Sequence, residues 1–322
     1  MKRSILFVFV ITVGLIFHQG NALGKKKPPV DFWPVEAAVL QLVYEIRETR
    51  DDSLAILKNR QIEEALAQML ISPSAYKYPF DSLRMIGRIY APRKKFRIFN
   101  WNHAKRDGTH QHFALIVLPG KKGQPNKVFR LTDMSDSIKR PDQQVLGAGE
   151  WFGALYYRII PRRKGKDKKV YYTLLGLDMN NLQTKKKVIE ILSFGENGEL
   201  QLGAPVIELN DWIKHRVIFE FSAKQSMYLE YNRLKRRMEF DHLAPLMPYL
   251  VGEYEYYEPD LFRDGLKFRR GHWKHYKTIQ KPPKNKTPGK RNLPKPPKLK
   301  PPKKQQQKTE ENNTSDNAPA GI

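Results

Sequence analysis

Phe96-Arg97-Ile98-Phe99-Asn100-Trp101 and His112-Phe113-Ala114-Leu115-Ile116-Val117-Leu118 flank Arg106-Asp107-Gly108-Thr109. Both flanks are rich in aromatic and β-branched residues, and Asp-Gly is a favoured turn dipeptide. The stretch therefore predicts a β-hairpin. Downstream the period-two pattern continues. Val128–Leu131, Trp151–Ile160 and Val170–Leu177 read as strands, the last two joined by a basic turn at 162–169. Val188–Phe194 runs into an Asn197-Gly198 turn, and Val217–Phe221 alternates plainly. Met227–Tyr231 and Met238–Phe240 flank a polar connector, and Tyr254–Tyr257, Leu266–Phe268 and Trp273 close the series. About ten to twelve strands with short connections predict an antiparallel meander, curled, two-layered or barrel-like. No internal repeat of propeller length is present.

Upstream the period is helical. Pro34–Glu48 repeats apolar residues on one face, with proline near its start. Ser53–Ile71 does the same, with Asp52 or Ser53 as its cap and Ser72-Pro73 as its stop. The fold class expected is α+β and mostly β: an N-terminal helical hairpin packed on an antiparallel β-meander, followed by a disordered C-terminal tail. The domain plan is 1–22 signal peptide, 23–75 linker and helical hairpin, 76–276 β domain and 277–322 tail.

The two ends carry the expectations about location. Lys2-Arg3, the apolar run Ile5–Phe17 and the small residues around Gly20 and Ala22 predict a cleaved export signal. The run is shorter than the roughly 20 residues that span a bilayer. With no cysteine in the chain, a lipoprotein anchor and a thiol nucleophile are both ruled out. About 250 residues remain for folding, enough for a core that needs no disulfide. These features favour a periplasmic or outer-surface location in a Gram-negative bacterium.

The net charge of +25 is unevenly spread: residues 281–304 carry ten Lys and Arg and no acid, while acids interleave with the bases of the part expected to fold. Lys281, Lys284, Lys286, Lys290, Arg291, Lys295, Lys298, Lys300, Lys303 and Lys304 alternate with proline and are candidate anion-binding residues. Such a segment buries too little apolar surface to fold, and it attracts polyanions in a salt-sensitive way. The partners implied are an anionic envelope polymer or lipid surface, with nucleic acid as a lesser option.

No catalytic motif is assembled in the sequence. There is no Gly-x-Ser-x-Gly elbow, no phosphate-binding glycine loop and no dinucleotide fingerprint, and no cofactor is implied. His110 and His112 are two apart on a predicted strand and so share a face, which makes them candidate metal ligands with His103 across the hairpin. The plainer reading is a solvated pair beside a turn. Asp178 and Asn180 open like a calcium loop, but Leu182 and Gln183 stand where its later elements belong; a turn is the plainer reading. Asp241 and His242 contain the two residue types of an acid–base pair, yet neighbours on a strand face opposite ways. His272 and His275, among Lys and Arg, suggest anion contact.

Several phrases carry a resemblance: Tyr78-Pro79-Phe80-Asp81-Ser82-Leu83, Trp151-Phe152-Gly153-Ala154-Leu155-Tyr156-Tyr157, Tyr171-Tyr172-Thr173-Leu174-Leu175-Gly176, Arg216-Val217-Ile218-Phe219-Glu220-Phe221-Ser222-Ala223 and Phe240-Asp241-His242-Leu243. Together they resemble a family of exported proteins of Bacteroidetes-type bacteria to which no activity is attached. The resemblance implies a periplasmic setting and no catalytic residue. The sequence thus favours an envelope-associated binding or scaffolding protein, with an exported hydrolase of cell-wall glycan or peptide as the alternative.

Overall fold

The computed structural model describes residues 30–278, save 122 and 165. The signal peptide and the basic tail of the sequence reading lie outside the described residues.

Two helices open the described chain, α1 (Trp33–Glu48) and α2 (Asp52–Leu70). Pro34 sits in the first turn of α1, where its missing N–H costs nothing. The cap of α2 is Asp51, one residue before the expected position. Its extended backbone lets its carboxylate accept from the N–H groups of Ser53 (2.8 Å) and Leu54 (3.2 Å). Asp52 is occupied elsewhere, accepting from the Arg106 N–H at 2.9 Å. Asp51→Ala is therefore expected to lower stability by about 1 kcal/mol, read as a shift in urea midpoint, while Asp52→Ala leaves the cap intact.

The helices pack on a first antiparallel sheet of β1 (Gly87–Tyr90), β2 (Arg97–Ala104), β3 (His110–Leu118) and β4 (Lys127–Thr132), paired in that order. The Asp107-Gly108 turn joins β2 to β3, with Gly108 at φ +83. One face of this sheet sends Phe99, Trp101, Phe113, Leu115 and Val117 into a core with the helices. The Trp101 indole N–H donates to Asn59 Oδ1 on α2 at 2.9 Å. The other face sends Ile98, Ala114 and Ile116 toward a second sheet.

That second sheet contains β5 (Leu155–Lys164), β6 (Val170–Asp178), β7 (Thr184–Phe194) and β11 (Val217–Ser222), in the order β11-β7-β6-β5, with β8 (Leu200–Leu202) pairing β7. It too is buried on both faces. Tyr172, Leu174, Val188 and Leu192 join the core with the first sheet, while Tyr171, Leu175, Ile189 and Ile191 face a third. The third sheet adds β9 (Ile207–Leu209), β10 (Trp212–Lys214), β12 (Leu229–Asn232), β13 (Arg237–Pro245), β14 (Tyr257–Arg269) and β15 (His272–Thr278), ordered β10-β9-β15-β14-β13-β12.

The layers therefore run helices, sheet, sheet, sheet. The mostly β, antiparallel reading holds, but the strands number fifteen among the described residues and divide into three sheets. Two pairings depart from a meander: β11 lies antiparallel to β7, and β15 lies parallel to β9, with Trp273 opposite Ile207. The strand expected at 254–257 is a 3-10 turn over Tyr254–Tyr256, and Tyr257 opens one long strand, β14, which also takes in 266–268 and whose register shifts where Asp241 and Leu243 meet it. No helix among the described residues is long and apolar enough to cross a membrane.

Candidate functional site

A polar cleft of about 260 Å³ opens where the first two sheets meet, lined by the start of β3, the loop after β4 and the end of β6. His112 forms its floor. Its neighbours on the same face of β3, Ala114 and Ile116, are packed against the second sheet, so His112 is only 3% exposed. The solvated-pair reading fails for this residue because β3 is covered on both faces.

Asp133 holds one side of the ring. Its Oδ2 accepts from the His112 backbone N–H at 2.8 Å and lies 3.1 Å from His112 Nδ1. Its Oδ1 accepts from the Ser135 N–H (3.1 Å) and Ser135 Oγ (2.6 Å), and Ser135 Oγ in turn accepts from the Gly153 N–H (2.8 Å). A side chain at Gly153 would meet that carboxylate at 2.5 Å, so glycine is what lets β5's approach close over Asp133. Trp151 backs the site, its ring edge-on to His112 with centroids 6.3 Å apart.

Asp178 stands on the other side. Its Oδ1 lies 3.5 Å from His112 Nε2, too far for a hydrogen bond, and accepts from the Asn180 N–H at 2.7 Å. Nε2 is buried and has no hydrogen-bond partner among the described residues. An acceptor on Nδ1 fixes a proton there and leaves the Nε2 lone pair directed toward Asp178.

The two carboxyls are pushed apart in acidity. Burial pushes the Asp178 carboxyl up, and the nearby His112 and Lys186 charges only partly oppose it. Burial also acts to raise Asp133, but its hydrogen bonds to His112 and Ser135 and the His112 charge outweigh this and hold it below the ordinary value. Opposite shifts on neighbouring carboxyls are a mark of acid–base sites.

For Asp178 the folded pKa exceeds the unfolded one, so the native state binds the proton more tightly. The stability it contributes is complete below about pH 4, the unfolded pKa, and is lost as pH rises through the raised folded value. Asp178→Asn is thus expected to gain stability relative to wild type as pH climbs from about 4 to 7, in melting temperatures taken across that range.

The remaining sequence candidates fall elsewhere. His110 shares the cleft face as expected, at its rim; the Asn102 side-chain amide lies 2.7 Å from its Nδ1, and burial and then the His112 charge lower its pKa. His103 points the other way, toward the helices, 3.5 Å from Asp52. No group of three or more His, Cys, Asp or Glu among the described residues is placed to hold a metal. Asp178 and Asn180 shape the turn after β6, with Asn180 at φ +51 and its amide donating to Thr184 Oγ1.

Asp241 and His242 do not meet each other: Asp241 takes Arg263 at 3.0 Å, and His242 Nδ1 lies 2.7 Å from Asp260 Oδ2. His272 and His275 face Glu208 and Asp264, so their expected role as anion contacts is not what their surroundings provide. Asp133 and Ser135 went unread in the sequence. The available signal was register: once β4 pairs β3 with Thr132 opposite Phe113, Asp133 falls beside His112.

No family model, curated protein or solved structure matches the chain.

Proposed function

We propose that the protein is an exported envelope protein whose cleft binds one polar unit of a cell-wall glycan or peptide and hydrolyses the bond beside it. The observation that carries this reading is the buried His112, held by Asp133 on one nitrogen and, on the other, without a hydrogen-bond partner 3.5 Å from Asp178. The cleft is small for an extended ligand and suits a single sugar or amino-acid unit. Lys105, Gln111 and Asn181 at its lining supply further hydrogen-bonding groups. Export rests on the N-terminal pattern of the sequence and on the family resemblance.

In this scheme His112 Nε2 takes a proton from water as its oxygen bonds to the electrophilic carbon. Asp178, whose hold on a proton is strengthened by burial, gives that proton to the leaving oxygen or nitrogen as the old bond breaks. The proton on Nε2 then returns to Asp178 across the 3.5 Å gap, which restores both groups. Asp133 orients the imidazole and balances its transient charge.

The test offers soluble peptidoglycan fragments and neutral oligosaccharides to the full protein and counts new reducing ends and amines. Asp178→Asn should lower the rate at least about 100-fold with the fold unchanged. Fragment binding without cleavage would leave a binding module, which is the reading that the net charge of +25 favours on its own. No binding in the cleft would sink the proposal.

A further inference from the structure

The loop between β13 and β14, with the start of β14, is an exposed apolar stretch of the third sheet. Tyr249 is 81% exposed, Val251 71% and Leu261 88%. Tyr254 and Tyr256 are exposed beside them, and the Tyr254 ring lies 5.1 Å from that of Tyr257. In a chain of net charge +25, residues 246–262 contain Glu253, Glu255, Glu258 and Asp260 and no Lys or Arg. Exposed tyrosines among carboxylates are the surface that reads a basic, proline-rich segment in extended polyproline form. The rings take the prolines, and the acids and ring faces take the cations.

A basic, proline-rich sequence is present at 281–304, where Lys and Arg alternate with Pro and no acid interrupts them. We propose that the 246–262 face docks the 281–304 segment of a second copy of this chain, so that the protein self-associates. The charge on the face argues against the other occupant of an exposed aromatic patch, an anionic bilayer, whose headgroups four carboxylates would repel. Face and segment are different surfaces, so the contact is heterologous: reciprocal exchange closes a dimer, and one-way docking builds longer chains. The inference is independent of the cleft and its chemistry.

Sedimentation velocity on the full chain over a concentration series tests it. At low salt a concentration-dependent oligomer is expected, its dissociation constant rising at least about tenfold between about 0.05 and 0.5 M salt. Tyr249→Ser with Tyr254→Ser should weaken association by about tenfold, and Glu253→Lys with Glu255→Lys at least as much. A synthetic peptide of residues 281–304 added in excess should return the protein to monomer. The charge-reversal pair keeps the test decisive if the tyrosine pair lowers the melting temperature. A monomer at every concentration in low salt overturns the proposal, as does an oligomer indifferent to both variant pairs and to the peptide. Anionic phospholipid vesicles bound through the same tyrosines would also overturn it and make the face a lipid contact.

Discussion

Arg216→Met is expected to lower stability by about 3–5 kcal/mol, as a fall in urea midpoint at neutral pH. Arg216, just before β11, and Glu190 on β7 are both fully buried, joined by Arg216 Nε donating to Glu190 Oε2 at 2.8 Å. The guanidinium also donates to the carbonyls of Leu202 (3.0 Å) and Pro141. Methionine fills much of the volume but takes the donor from Glu190 Oε2 and from the Pro141 carbonyl, while Glu190 Oε1 keeps the Ile191 N–H and the Leu202 carbonyl keeps that of Leu146. Burial already pushes the Glu190 carboxyl up, and losing the cation pushes it further. The folded pKa then lies above the unfolded one, so the deficit should grow as pH rises and shrink near pH 4, where Glu190 enters the folded state protonated. Pairing Arg216→Met with Glu190→Leu should recover part of the loss, though not the carbonyl contacts. A single variant as stable as wild type at neutral pH would show that the pair does not hold this part of the core together.

Trp151→Ala should cost about 3–5 kcal/mol or more. Trp151 is fully buried, and its N–H and C=O tie the loop after β4 to β5: its N–H donates to the Thr132 carbonyl at 2.9 Å and its carbonyl accepts from Met134 at 2.9 Å. Its indole N–H donates to the Tyr156 hydroxyl at 2.9 Å. Alanine keeps the backbone ties, opens a cavity behind His112 and strands that hydroxyl in the core. Trp151→Phe keeps most of the volume and should cost roughly half as much. Because the ring lies against His112, the alanine variant should also lose the proposed cleavage in excess of its unfolded fraction. Thermal melts alongside the cleavage assay separate the two losses, and full activity in the folded variant would remove Trp151 from the site.

How much of this was legible in the sequence depended on distance along the chain. The β2–β3 hairpin and both helices were local problems, solved by turn chemistry and by apolar period. The layer count was not local. Phe113, Leu115 and Val117 alternate with Ala114 and Ile116, and apolar residues at both parities meant that both faces were covered. That run was read as a strand and not as a buried strand, so His112 at its head was taken for a solvated residue. The site then needed three segments brought together: β3 for His112, the turn beyond β4 for Asp133, and the end of β6 for Asp178. Asp178 was singled out for a turn, correctly, but its approach to His112 depends on how two sheets stack, which period and propensity do not encode. Arg216 was visible only as part of a phrase, and nothing near it announced a partner on β7.

The parallel contact between β15 and β9 bears on the order in which the molecule can be completed. β15, the last described strand, does not sit at an edge; it lies between β9 and β14 and brings Trp273 into the third core. A ribosome must therefore release residue 278 before that sheet can join its two halves, and the pairing closes a loop of more than sixty residues between Ile207 and Trp273. Until then β9–β10 and β12–β14 are two separate ribbons with open edges beside a half-covered second sheet. Folding of this layer is thus expected to be late, slow and dependent on a long-range closure, and its unfinished state is the one in which the chain is most exposed to proteases and to other unfolded copies.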